Sequence, residues 1–256
     1  MSARIMAHLV ACYPDRAASI AVAHGLIEGG ASYLELQFPF SDPTADGPDI
    51  QAACAVALAS GFTVEEGFSV LREIAGLTPV PVFVMTYANL AFTRGIPRFL
   101  KECKEAGARG VIAPDLPPDY DEGLFEAARS LDLAAVPVVS PSASEDRLRR
   151  TERLDPEYVY ATLRAGTTGA ATRLDDGAIS FLKRVRAMGS GATKVLGGFG
   201  VSSPAQVQAV APHVHAVVVG SALVREIAQA GNPHEAVRRK MEELLSAVPG
   251  PSPTRP

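Results

Sequence analysis

The chain has 256 residues, 47% of them hydrophobic, which is enough for one sizeable core. A net charge of -4 and an isoelectric point near 5.8 argue against a nucleic-acid binder or a binder of anionic membranes. No apolar stretch approaches the ~20 uncharged residues of a membrane span, and MSARIMAHLVACYPD lacks the apolar core of a signal peptide, so a cytoplasmic protein is expected.

In chain order, short β-branched runs alternate with longer amphipathic ones. Strands are predicted at 7–12, 32–36, 80–86, 109–113, 134–139, 157–161, 193–198 and 215–220. Between them lie helical patterns such as RAASIAVAHGLIEGG, FTVEEGFSVLREIAGL, IPRFLKECKEAGA, DEGLFEAARSLD, SEDRLRRTERL and DGAISFLKRVRAMG. The strand runs are nearly continuous in apolar residues, as expected when both faces of a parallel sheet are covered. Asp, Ser or Thr often opens a helix and Gly often closes one. About eight βα units in a chain of this length predict an α/β protein, a single (β/α)8 TIM barrel over 1–247. An open doubly wound sheet is disfavoured because no G-x-G-x-x-G follows the first strand. The Pro-rich end, 248–256, is expected to be a disordered tail. Cys12, Cys54 and Cys103 are odd in number and far apart, and His213 and His215 have no acidic or thiol neighbour in sequence. Neither a disulfide framework nor a metal site is expected.

Barrel chemistry sits at the C-terminal ends of strands. There the sequence holds Glu35, Asp46, Tyr87 and Asn89, Asp115, Tyr160, Gly198 and Gly200, and Gly220 with Ser221. Strand alternation turns Leu34 and Leu36 toward the helices and Glu35 toward the barrel axis. An apolar interior disfavours the charged carboxylate and raises its pKa, which suits a general acid or base. Pro39, Pro43 and Pro48 stiffen the acidic loop that follows; Asp42 and Asp46 there read as turn caps or as functional carboxylates. VLGGFGVSSPAQV and VVVGSALVREI place glycines and helix starts after the last two strands, where such barrels hold phosphate.

LELQFPFSDPTADGPDIQ resembles the signature segment of the tryptophan synthase α chain family. FVMTYANL, VIAPDLP, YVYATLRAGTTGA, LGGFGVSSPAQV and VVVGSALV follow in the family's order, so the resemblance spans about residues 7 to 230. It implies retro-aldol cleavage of indole-3-glycerol phosphate to indole and glyceraldehyde 3-phosphate, in tryptophan biosynthesis, with neither metal nor organic cofactor on this chain. It implies Glu35 as the acid/base residue, Asp46 as the partner of the indole N–H, and Tyr160 as an orienting group. Thr168 and Gly169 match a lid, Thr168 contacting the aspartate on closure. Gly198, Gly200, Gly220 and Ser221 match the phosphate cradle, and Phe199 matches the wall of the indole pocket. The implied partner is a pyridoxal-phosphate β chain in an α2β2 assembly, facing Pro39, Asp42, Tyr87 and Asn89, with Asp115 ordering the loop nearby.

The sequence departs from the family at several points. Family members begin with an additional short helix; here the first strand starts near Ala7, so a more open barrel floor is expected, with stability leaning on a partner or on self-association. Cys12-Tyr13 replace a Gly-Asp pair before Pro14. Gln37 replaces a glycine, and it either hydrogen-bonds Glu35 or narrows the pocket. His8 stands where an apolar pocket residue is typical, and a lone strand histidine reads as a satisfied core residue. Two further readings stay open: a non-catalytic barrel that binds and activates a β chain, and a stand-alone barrel releasing free indole or splitting another phosphorylated substrate.

Overall fold

In the computed structural model of the chain the residues described are 3–163, 176–188, 192–198 and 200–246. The strands are β1 (Ile5–Val10), β2 (Tyr33–Gln37), β3 (Val82–Met85), β4 (Gly110–Ile112), β5 (Ala134–Val136), β6 (Val138–Val139), β7 (Tyr158–Thr162), β8 (Lys194–Gly198) and β9 (Ala216–Val219). The helices are α1 (Arg16–Glu28), α2 (Pro48–Ala59), α3 (Val64–Leu77), α4 (Ala88–Arg94), α5 (Ile96–Glu105), α6 (Leu124–Ser130), α7 (Glu145–Arg153), α8 (Asp176–Arg186), α9 (Pro204–Val210), α10 (Ser221–Gln229) and α11 (Pro233–Ser246). Every strand pairing is parallel, in the order β5-β4-β3-β2-β1-β9-β8-β7-β6.

The two ends of that order, β5 and β6, are consecutive in sequence on either side of Pro137. The strand expected over 134–139 is therefore one barrel stave broken at its proline, which has no N–H to give the ladder. Its carbonyl still accepts the Tyr160 N–H at 2.9 Å. The nine strand segments thus make eight staves of a (β/α)8 barrel.

Alternation along the staves builds two cores. Ile5, Ala7, Leu9, Leu34, Leu36, Val82 and Val84 pack outward against the helices. Met6, Phe83, Met85, Ile112, Tyr158, Leu196 and Val218 fill the barrel. Helix starts follow the capping rules: Asp15, Thr63, Ser144 and Ser203 each accept a backbone N–H of the first turn. Among the described residues no helix precedes β1, yet the floor is not left open as the sequence led one to expect. Tyr33 Oη meets His215 Nε2 at 2.8 Å, Tyr158 packs edge-on to Phe83 at 5.1 Å, and Lys194 Nζ stands 4.9 Å from the Tyr158 ring centre. Tyr158 is only 3% exposed, so the barrel plugs its own N-terminal end with aromatic rings. Among the described residues no single helix is long and apolar enough to cross a membrane.

Helix α11 packs on α1 at a stripe without side chains. A Cβ on Gly25 would lie 2.3 Å from the His234 carbonyl oxygen, and one on Gly29 would lie 2.6 Å from Met241 Cβ. Exposed Gly76 in α3 has nothing within 4 Å of such a Cβ. Gly25→Ala should therefore cost about 1–3 kcal/mol by overpacking. Gly76→Ala should add about 0.5–1 kcal/mol by helix propensity. Urea unfolding reads both, and equal effects would refute the close helix contact.

Candidate active site

Strand β2 carries Leu34 and Leu36 outward and Glu35 and Gln37 inward, as its alternation predicts. The parallel register sets His8 of β1 opposite Glu35, and the side chains meet: His8 Nδ1 lies 2.9 Å from Glu35 Oε2. Both are buried, at 3% and 4% exposure. His8 is thus a core residue, as read from the sequence, but not a satisfied one: its Nε2 is buried and has no partner among the described residues.

After β2 the chain runs through residues 38–47 to α2, which Pro48 opens in its first turn. The strand-to-helix loop is therefore compact, and Asp46 is 3% exposed. Its Oδ2 accepts Gln37 Nε2 at 2.8 Å and the Tyr87 hydroxyl at 2.8 Å. The Tyr87 oxygen in turn accepts the Ala45 N–H at 3.0 Å, and the Tyr87 ring stacks on Phe40 at 5.3 Å. Gln37 thus serves Asp46, not Glu35. Burial raises the Asp46 pKa above the ordinary carboxylate range, while the charge of His8 and the bonds from Gln37 and Tyr87 pull it down. Burial also pushes the Tyr87 hydroxyl up, with the Asp46 charge adding to it, and takes the Cys54 thiol beside Gln37 to about 12. The Tyr160 hydroxyl is pushed well up, first by burial and then by the negative charges of Glu35 and Asp46.

His8, Glu35, Asp46, Tyr160, Gly220 and Ser221 line one cavity of about 710 Å³ including its open mouth. A few polar groups converge there on an otherwise apolar wall, the make-up of a small-molecule site. At its far side Gly220 caps α10 without a side chain and Ser221 begins the helix. The Ser221 Oγ is buried and has no partner among the described residues. Helix α9 differs: the N–H groups of Ser202 and Ser203 already bond Gln206 Oε1, at 2.8 and 3.1 Å. The start of α10, with Gly200 at φ 82° beside it on the cavity wall, is the better anion cradle. Gly198 has a packing reason to be glycine: a Cβ there would lie 2.6 Å from Val218 Cβ and 3.1 Å from the Tyr160 oxygen.

The expected residues divide as follows. Glu35, Asp46, Tyr160, Gly200, Gly220 and Ser221 converge on the cavity. Thr168, Gly169 and Phe199 lie outside the described residues. Of the four expected at a partner face, Asp42 and Asn89 are exposed, whereas Pro39 and Tyr87 are buried. Tyr87 turns inward, where its hydroxyl donates to Asp46. Asp115 accepts the Ala88 N–H with both oxygens, at 2.9 and 3.1 Å, and so caps α4 directly after Tyr87. The sequence reading missed Arg225, one helical turn beyond Ser221, which lines the cavity and pairs with Asp49 at 2.5 Å. It also missed the His8–Glu35 contact, which only the strand register reveals.

The family model for the tryptophan synthase alpha chain matches residues 2–249. The chain belongs to the tryptophan synthase alpha chain family. It is 38% identical to the tryptophan synthase alpha chain of Helicobacter hepaticus, over 88% of this chain and 86% of the relative. It is 39% identical to that of Leifsonia xyli subsp. xyli, over 89% and 86%. The fold matches Mycobacterium tuberculosis tryptophan synthase with a TM-score of 0.88 at 32% identity, covering 96% of this chain and 93% of that one. It matches the Pyrococcus furiosus tryptophan synthase complex at 0.86 and 31% identity, covering 96% and 98%.

A Cβ on Gly220 would find His8 Cβ and Ile50 Cδ1 at an ordinary 3.6 Å, so the fold has room for it, but it would enter the cavity. Gly220→Ala should melt close to the parent while losing roughly tenfold or more in orthophosphate affinity, the scale of one charge-assisted hydrogen bond. Calorimetric titration checks this; unchanged affinity would move the anion site elsewhere.

Proposed function

We propose that this chain is the lyase half of a tryptophan synthase, cleaving indole-3-glycerol phosphate to indole and glyceraldehyde 3-phosphate. One observation carries the reading: two buried carboxylates with different partners share a cavity with an open helix start. Glu35 gives a proton to the ring carbon that bears the side chain. The hydroxyl on the adjacent carbon loses its proton, the bond between the two carbons breaks, and its electron pair restores the indole ring as an aldehyde forms. Positive charge develops on the indole nitrogen in between. Asp46, its Oδ2 fixed by Gln37 and Tyr87, has Oδ1 left for the indole N–H. A preorganised anion there stabilises the transition state more than the ground state. The α10 start and Ser221 take the phosphate, with the Arg225 guanidinium, paired to Asp49, at that end of the cavity.

Only protons move and one carbon–carbon bond breaks, so in this reading the chain itself needs neither metal nor organic cofactor. Pyridoxal phosphate belongs to a partner β chain, which would dock over Asp42 and α4, where Asn89 is exposed and Phe92 is 42% exposed. Among related structures, one is of a Pyrococcus furiosus tryptophan synthase α2β2 complex, and the same assembly is proposed here.

Indole release from indole-3-glycerol phosphate, measured with and without a β chain, tests the reading. Release strengthened by the β chain is expected; no release in either condition would leave only a binding module. Glu35→Gln should lose on the order of 10²–10⁴ in turnover with substrate still bound, the range of a lost acid/base group. Asp46→Asn should lose about 10²–10³, as for a removed transition-state donor or charge.

The Gln37 bond lowers the Asp46 pKa, so Gln37→Met should let it rise. Asp46 works ionised, so the acid limb of kcat/KM should move to higher pH in that variant. An unmoved limb would separate Gln37 from Asp46 function.

A further inference from the structure

We propose that His8 is a second acid/base residue of this site, taking the substrate hydroxyl proton on Nε2 and passing the Nδ1 proton to Glu35. The proposal rests on the lyase reading above. Cleavage needs two proton transfers at two places: one onto the ring carbon, one off the hydroxyl of the next carbon. A single carboxyl performing both must present itself to each in turn. Here Glu35 is not free to do so, because its Oε2 is held by His8 Nδ1 at 2.9 Å. The second ring nitrogen of His8 is buried without a partner among the described residues, and His8 lines the same cavity as Glu35. An imidazole with one nitrogen on a carboxyl and the other lacking a partner lacks what a purely structural core residue would have. It has the arrangement of a base oriented by a carboxyl.

Among the described residues, the polar groups that share the cavity with this pair are Asp46 from the loop after β2, Tyr160 from β7, Ser202 ahead of α9, and Ser221 with Arg225 from α10. None of them bonds His8 Nε2. A Cβ on Gly220 would come within 3.6 Å of His8 Cβ, so His8 stands between the acid and the start of α10. A substrate whose ring lies at Asp46 and whose phosphate lies at Ser221 must carry its intervening hydroxyls past this histidine.

The protons balance. In the starting state Nδ1–H donates to Oε2, Glu35 carries its own proton on Oε1, and Nε2 offers a lone pair. The Oε1 proton goes to the ring carbon, leaving a carboxylate. The hydroxyl O–H breaks as Nε2–H forms, and the carbon–carbon bond pair returns to the ring. Carboxylate and imidazolium now face each other, and the Nδ1 proton passes to Oε2. Exchange with solvent after product release restores the starting tautomer. No oxidant or further reactant is required.

Two variants and one substrate analogue test this. His8→Phe keeps a ring of similar size and removes both nitrogens. His8→Asn keeps a donor close to Glu35 but no base for the hydroxyl. The analogue is the substrate with hydrogen in place of the hydroxyl next to the ring. Both variants should lose about 10²-fold in kcat, the scale of general-base catalysis, while binding the analogue within about twofold of the wild type. Full turnover by His8→Phe, or rescue by His8→Asn, would overturn the proposal and leave His8 a packing or positioning residue. Wild-type chain that releases no indole would instead overturn the lyase reading itself. A second measurement does not depend on His8 variants folding. In the Glu35→Gln chain, the ¹⁵N resonance of His8 Nε2 should shift on binding substrate and not on binding the analogue. Equal shifts with the two ligands would count against contact with the hydroxyl.

Discussion

The pairing of β1 with β2 in parallel register governs this barrel's mouth, because it sets His8 opposite Glu35 with both side chains on the axis. Shifting the register by one residue would turn Glu35 into the helical layer and Leu34 or Leu36 into the cavity. What secures the register is the apolar set on the other face: Ala7, Leu9, Leu34 and Leu36 are all at or below 1% exposure. The hydrophobic packing outside the barrel therefore fixes the polar contact inside it.

A buried charge without partners is costly, so a site with two buried carboxyls and a buried imidazole must distribute donors among them. Glu35 has the imidazole, and Asp46 has an amide and a phenol. These are different kinds of partner. An imidazole can exchange a proton with its carboxyl; Gln37 cannot, and the Tyr87 hydroxyl is held far from ionising by burial and by Asp46 itself. Asp46 therefore sits among groups that only donate hydrogen bonds, suited to a fixed charge, while Glu35 sits beside a group that can take or return a proton. The two carboxylates are thus set apart by the chemistry of their neighbours.

Much of this was legible in the sequence, for reasons that are local. Period-two alternation placed Glu35 inside, and eight apolar runs gave the staves. Turn chemistry failed to show Pro137 breaking a stave, because the break is masked by its apolar neighbours on either side, Val136 and Val138. Helix α2 was hidden in the acidic segment, since its opening residues Pro48 and Asp49 read equally as loop. Tyr87 was placed on a partner face because a loop tyrosine after a strand carries no mark of direction; its inward turn follows from Asp46, 41 residues earlier. His8 was read as a satisfied core residue for the same reason, and its Nε2 has no partner among the described residues. Alternation says that it points inward, but nothing local says which residue of β2 it will meet, 27 positions away.

The two ends of the cavity share a feature that ties recognition to stability. His8 Nε2 at the acid end and Ser221 Oγ at the cradle end are both buried and both lack a partner among the described residues. Native interiors rarely leave such atoms unmatched, because a buried polar atom without a partner costs free energy. A ligand with a hydroxyl at one end and an anion at the other would match both at once, and whatever binds only the folded state stabilises it. The hydrogen-bonding capacity missing from the resting fold is thus concentrated where the proposed substrate carries its polar groups, and the apolar ring is left to the wall between them, formed by side chains such as Ile50, Met85 and Ile112.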